Sequence, residues 1–74
     1  MEYRVEFENK KTEKFFKEYG HTVEDLKWDD SYYHNLPERL EGGKYGYFKY
    51  ALHEDRKSHE KYIYVWMERR NRMI

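Results

Sequence analysis

The stretch Glu60-Lys61-Tyr62-Ile63-Tyr64-Val65-Trp66-Met67-Glu68-Arg69 decides how the chain folds. Successive side chains of a strand point to opposite faces, so Ile63, Val65 and Met67 share one face while Tyr62, Tyr64 and Trp66 share the other. This predicts a strand over residues 60–69 with one aliphatic and one aromatic face. The polar run Glu54-Asp55-Arg56-Lys57-Ser58 lies before it, and residues 44–53 are again rich in aromatic side chains, which predicts an antiparallel hairpin. The register that sets Phe48, Tyr50 and Leu52 beside the aliphatic face leaves Tyr45, Tyr47, Tyr62, Tyr64 and Trp66 together on the opposite face.

Towards the N-terminus, residues 2–8 alternate in the same way, with Tyr3, Val5 and Phe7 on one side, and predict a half-buried strand. From Asn9 the period becomes helical. Asn9 or Thr12 can cap a helix over residues 10–19 that carries Phe15, Phe16 and Tyr19 on one face and lysines outside, and Gly20 can end it. Thr22 is an N-cap for a second, shorter segment in which Val23, Leu26 and Trp28 face inward, followed by irregular chain over residues 29–35. Pro37 suits the first position of a helical turn reaching Leu40 and closed by Gly42 and Gly43. The expected fold is α+β: a three-stranded, mainly antiparallel sheet with one or two short helices packed on one face, in the order strand, helix, short helix, strand, strand.

A chain of 74 residues allows one domain, read here over residues 1–74 with 70–74 as a tail. Only nine residues are Val, Ile or Leu whereas 20% are aromatic, so rings must supply much of the core. With no cysteine there is neither a disulfide nor a thiolate metal site. The four histidines are read as exposed loop residues, so no metal and no cofactor is expected. Fifteen basic residues balance fifteen acidic ones, which argues against binding dominated by phosphates, although residues 1–30 carry −3 and residues 31–74 carry +3. The longest apolar run, residues 62–67, is far short of the ~20 residues that span a bilayer, so no membrane partner is expected and the cytoplasm is the expected location.

Tyrosine and tryptophan dominate interface hot spots, and a monomer rarely leaves a broad apolar patch bare. The aromatic face is therefore read as a binding surface of Tyr45, Tyr47, Lys49, Tyr62, Tyr64 and Trp66, bordered by Arg69, Arg70 and Arg72, with no catalytic residue assigned. The segment Lys44-Tyr45-Gly46-Tyr47-Phe48-Lys49-Tyr50 resembles the longer motif of the RNA-recognition fold, whose strand aromatics stack on bases. A single-stranded nucleic acid is accordingly one alternative ligand.

The segments Tyr3-Arg4-Val5-Glu6-Phe7, Leu36-Pro37-Glu38-Arg39-Leu40-Glu41-Gly42 and Ile63-Tyr64-Val65-Trp66-Met67-Glu68-Arg69-Arg70, in the order strand, helix, short helix, hairpin, resemble the RelE/ParE toxin superfamily over most of the chain. That resemblance implies a ribosome-dependent ribonuclease or a gyrase poison, neutralised by an antitoxin, with Lys49, Arg69, Arg70 and Arg72 as the working side chains. The zero net charge, and Phe48-Lys49-Tyr50 where the family's middle strand is rich in arginine, depart from it. The favoured expectation is a small non-catalytic binding protein, an inhibitor or regulator of the kind carried by phages and mobile elements. Its partner would be a host or cognate protein, with RNA or the ribosome, and a second copy in a homodimer, as the alternatives.

Overall fold

The computed structural model describes residues 3–28 and 37–69. It contains strand β1 (Arg4–Phe7), helix α1 (Lys10–Tyr19) and strands β2 (Glu38–Glu41), β3 (Tyr47–Glu54) and β4 (Lys61–Glu68), with 3-10 turns at Val23–Asp25 and Gly43–Tyr45. The expected α+β class holds, but the sheet has four strands, in the order β1-β4-β3-β2. β4 lies inside the sheet. It pairs antiparallel with β3, Tyr50 opposite Val65 and Phe48 opposite Met67, and parallel with β1, Val5 opposite Ile63.

Helix α1 begins where the sequence places it. The Asn9 side chain accepts the backbone N–H of Thr12 at 2.8 Å and its hydroxyl at 3.0 Å, satisfying one of the donors that a helix start leaves free. At the other end Gly20 has φ 108°, its N–H donates to the Lys17 carbonyl and the His21 N–H donates to that of Phe16, a Schellman closure that a residue with a Cβ adopts only under strain. The helix lays Phe16 on the sheet, edge-on to Phe7 and Phe48 with ring centroids 5.3 Å away in each case. Phe16, Leu26, Phe48, Tyr50, Ile63 and Val65 form the buried core, flanked by half-buried Leu52 and Met67. Rings contribute half of those six side chains, as the composition requires.

Three local expectations are corrected. The segment after Thr22 makes a single 3-10 turn, closed by the Thr22 N–H on the Asp25 carboxylate at 2.9 Å; it buries Leu26 and half-buries Trp28 but leaves Val23 55% exposed. Residues 38–41 are a strand rather than a helical turn, because pairing with β3 outweighs the local helix-start signal of Pro37 and turns Leu40 towards the core opposite Phe48. The strand of residues 44–53 begins only at Tyr47, because a turn stands before it: the Gly42 N–H donates to the Gly46 carbonyl at 2.9 Å, and Gly46, at φ 95°, releases the chain into β3.

That turn leaves no room at Gly42. A Cβ there would lie 2.8 Å from the Gly46 carbonyl oxygen and 3.0 Å from the Phe48 ring, and the first of these atoms is backbone. Gly42→Ala should therefore lower the unfolding free energy by about 2 kcal/mol, read as a reduced urea midpoint with an unchanged slope. An unaltered midpoint would mean that the turn relaxes freely. Among the described residues no helix is long and apolar enough to cross a membrane.

Candidate functional site

The helix and the 3-10 turn at Val23–Asp25 cover one face of the sheet, and alternation fixes what lies on the other. β3 contributes Tyr47, Lys49, Ala51 and His53, and β4 contributes Tyr62, Tyr64, Trp66 and Glu68. The edge strands add Arg4 and Glu6 from β1 and Arg39 and Glu41 from β2. Cross-strand pairing sets Lys49 opposite Trp66, Ala51 opposite Tyr64, and His53 opposite Tyr62.

Four rings of this face, His53, Tyr62, Tyr64 and Trp66, gather into one cluster. Tyr64 and Trp66 stack with centroids 5.9 Å apart and planes 28° apart, and the His53 ring approaches Tyr64 at 5.1 Å, Tyr62 at 5.9 Å and Trp66 at 6.4 Å. The Arg39 guanidinium lies 4.5 Å from the Tyr47 centroid, and that of Arg4 lies 4.8 Å from the Tyr62 centroid. Tyr47, Tyr62, Tyr64 and Trp66 are each half-buried. Loss of solvent contact raises the Tyr64 hydroxyl above its ordinary value, and the Glu8 carboxylate adds to this, so Tyr64 is a neutral donor at physiological pH.

Charge on the face is balanced. Arg4, Arg39 and Lys49 stand against Glu6, Glu41 and Glu68. Arg4 contacts Glu6 at 3.2 Å and Glu60 at 2.8 Å, while Lys49 holds Glu68 at 2.7 Å. The arrangement offers ring surface and hydroxyls on the inner strands, with the Lys49–Glu68 pair beside them and Arg4 and Arg39 on the edge strands, which is chemistry for binding.

Of the residues expected here, Tyr47, Lys49, Tyr62, Tyr64 and Trp66 are brought together. Tyr45 is not. It belongs to the turn before β3, stacks on Phe15 of α1 at 4.4 Å and 13°, and donates its hydroxyl to Glu18 at 3.1 Å, on the helix side of the sheet. Strand alternation cannot reach it because the positive φ of Gly46 intervenes. Arg69 is exposed but also on the helix side, beside Met67 and Phe15, and Arg70 and Arg72 lie outside the described residues. The reading from sequence omitted Arg4, Arg39 and His53. Arg4 could be found only by knowing that β1 adjoins β4, and Arg39 only by knowing that β2 is a strand.

His21, read as an exposed loop residue, has a structural role instead. It is half-buried among the rings of Phe16, Tyr19 and Phe48, with Nε2 2.7 Å from the Glu41 carbonyl oxygen and Nδ1 3.4 Å from the Asp25 carboxylate. It ties the end of α1 to β2. His59 is exposed beside Glu54 at 3.3 Å, and among the described residues no group of three or more His, Cys, Asp or Glu side chains could hold a metal ion.

Two carboxylates outside the face are held by backbone N–H groups. Asp55 accepts the N–H of Ser58 at 3.0 Å and that of Lys57 at 2.8 Å in the β3–β4 turn, which holds its carboxyl below the usual range. The Thr22 N–H, followed by His21, does the same for Asp25. A depressed native value contributes stability above the unfolded value of about 4, and that contribution disappears as pH falls through the native value. The urea midpoint should therefore fall as pH drops below ~4, and Asp55→Asn should lower it at neutral pH while flattening that fall. A profile that Asp55→Asn leaves superimposable on wild type would exclude Asp55 as a source.

Compared with protein-family models, with characterised proteins and with solved structures, the chain matches none.

Proposed function

We propose that the chain is a small binding module that docks a partner protein on the open face of its sheet and acts as an inhibitor or regulator of that partner. The observation that carries this reading is the Tyr64–Trp66 stack at the centre of a face whose charges cancel. Apolar rings at the middle and charged groups at the rim are the anatomy of protein interfaces, where aromatic anchors supply most of the affinity. A strand that uses both faces, one for the core and one for a partner, also accounts for the sequence of β4, in which aliphatic and aromatic side chains alternate.

Nucleic-acid binding is the competing reading, whether by base stacking or by a RelE/ParE-like toxin. It requires unbalanced cations that converge on the face. Lys49 is held by Glu68, and Arg69 lies across the sheet from it, so these two candidates do not converge.

The test is affinity capture from the native host with the wild-type chain, with the Tyr64→Ala/Trp66→Ala variant, and with Val23→Ser as an exposed control away from the face. A protein retained through washes at high salt by wild type and by Val23→Ser, but not by the double variant, is the expected result. Capture of RNA that salt releases would promote the competing reading instead.

A further inference from the structure

A groove on the helix side of the sheet, remote from the aromatic face, has the opposite electrostatic character. It encloses about 520 Å³ between α1, the turn at Gly43–Tyr45 and the end of β4, and is lined by Lys11, Phe15, Lys44, Tyr45, Met67 and Arg69 together with Gly43 and Gly46. Among the described residues that line it, three are cations and none is a carboxylate. In a chain with equal numbers of acids and bases, such a local excess is set by the fold. Alternation along the end of β4 produces it: Met67 faces the helix, Glu68 turns to the open face and is held there by Lys49, and Arg69 returns to the helix side. Glu18, bound to the Tyr45 hydroxyl at 3.1 Å, is not among the lining residues.

The two lysines are oriented without being neutralised. Phe15 and Tyr45 stack at 4.4 Å, and the ammonium groups stand over this pair, Lys11 at 5.7 Å from the Phe15 centroid and Lys44 at 5.3 Å from that of Tyr45. A cation over a ring retains its full charge and its donors for a further partner, which one paired to a carboxylate does not. These two lysines, with exposed Arg69 at the same groove, surround an apolar floor of Phe15, Tyr45 and Met67 and match a ligand with a multiply charged anionic end and a flat or apolar body, and the volume is that of a small-molecule site.

We infer that this groove is a second binding site, for a small organic phosphate. Lys11, Lys44 and Arg69 take the phosphate oxygens, and the body of the ligand lies on Met67 and the edge of the Phe15–Tyr45 stack. The site shares no residue with the aromatic face, so it stands or falls separately from the function proposed above.

The experiment is an amide NMR titration of the whole chain with adenosine diphosphate, with adenosine and with inorganic pyrophosphate at low ionic strength. Adenosine diphosphate should move the amide signals of Lys11, Gly43, Lys44, Tyr45, Gly46 and Arg69 in a saturable way, and adenosine should move none of them. Pyrophosphate should bind more weakly than the diphosphate nucleotide. Lys44→Gln/Arg69→Gln, which changes exposed side chains, should reduce the affinity for adenosine diphosphate by at least about tenfold, and Tyr64→Ala/Trp66→Ala should leave it unchanged. Absence of saturable shifts at millimolar nucleotide, equal affinity in the Lys44→Gln/Arg69→Gln variant, or pyrophosphate binding as tightly as the nucleotide would each overturn the assignment. So would a single-stranded oligonucleotide that displaces adenosine diphosphate from the same residues at far lower concentration.

Discussion

Val65→Asp should leave a chain with no cooperative thermal transition. Val65 is fully buried in β4, inside the sheet, with Phe7 beside it on β1 and Tyr50 on β3. A carboxylate placed there loses its water and meets aliphatic and aromatic carbon, at a cost of several kcal/mol. For a chain of 74 residues the whole stability is roughly 4–11 kcal/mol, so this one term is of the same size as the total. Trp66→Asp, one residue further on, is the informative comparison. Its side chain lies on the open face, where a new carboxylate stays in water opposite Lys49, so that variant should retain a cooperative melt at a lower midpoint. Circular dichroism melts of the two variants measure the difference. A Val65→Asp chain that melts near the wild-type temperature would show that the core lies on the other face of the strand.

The ease with which these two positions are told apart reflects where the sequence is informative. β4, β3 and α1 carry their own instructions: alternation over eight residues in each strand, and for the helix an Asn9 cap, a Phe16 stripe and a Gly20 stop. β2 carries none. It is four residues long, Glu38-Arg39-Leu40-Glu41, between a proline that suits a helix start and glycines that suit a helix stop, and only pairing with β3 makes it a strand. The parallel pairing of β1 with β4 was equally hidden, because alternation in Tyr3, Val5 and Phe7 reveals which side is buried but not which strand lies alongside. The same gap explains the site. The rings on β3 and β4 were legible because both strands were, whereas Arg4 and Arg39, contributed by the two edge strands, became visible only with the sheet order. Tyr45 was misassigned for a more local reason, since one glycine with positive φ, Gly46, delays the start of the alternation to Tyr47 although the aromatic pattern already runs through Tyr45.

Replacing Tyr64 and Trp66 together by alanine should abolish most partner binding while changing folding little. Both rings are half-buried, mainly against each other and His53, and neither belongs to the buried core of Phe16, Leu26, Phe48, Tyr50, Ile63 and Val65. Within the free chain the substitution forfeits a stacked pair worth about 1 kcal/mol and some partial burial, so the melting temperature should drop by roughly 5–10 °C while the transition stays cooperative. In a complex the same rings would be desolvated completely, and interface aromatics of this kind cost ~2 kcal/mol or more each on truncation. Two of them correspond to a roughly thousandfold loss of affinity, measurable by calorimetry on the captured partner. The ratio of the two effects is what separates a binding face from a core face. If the double variant melts far below wild type yet binds its partner normally once refolded, the rings are structural and the open sheet face is not the interface. If instead affinity falls only tenfold and the remainder disappears with added salt, the charges of Arg4, Arg39 and Lys49 carry the recognition, and the aromatic centre is secondary.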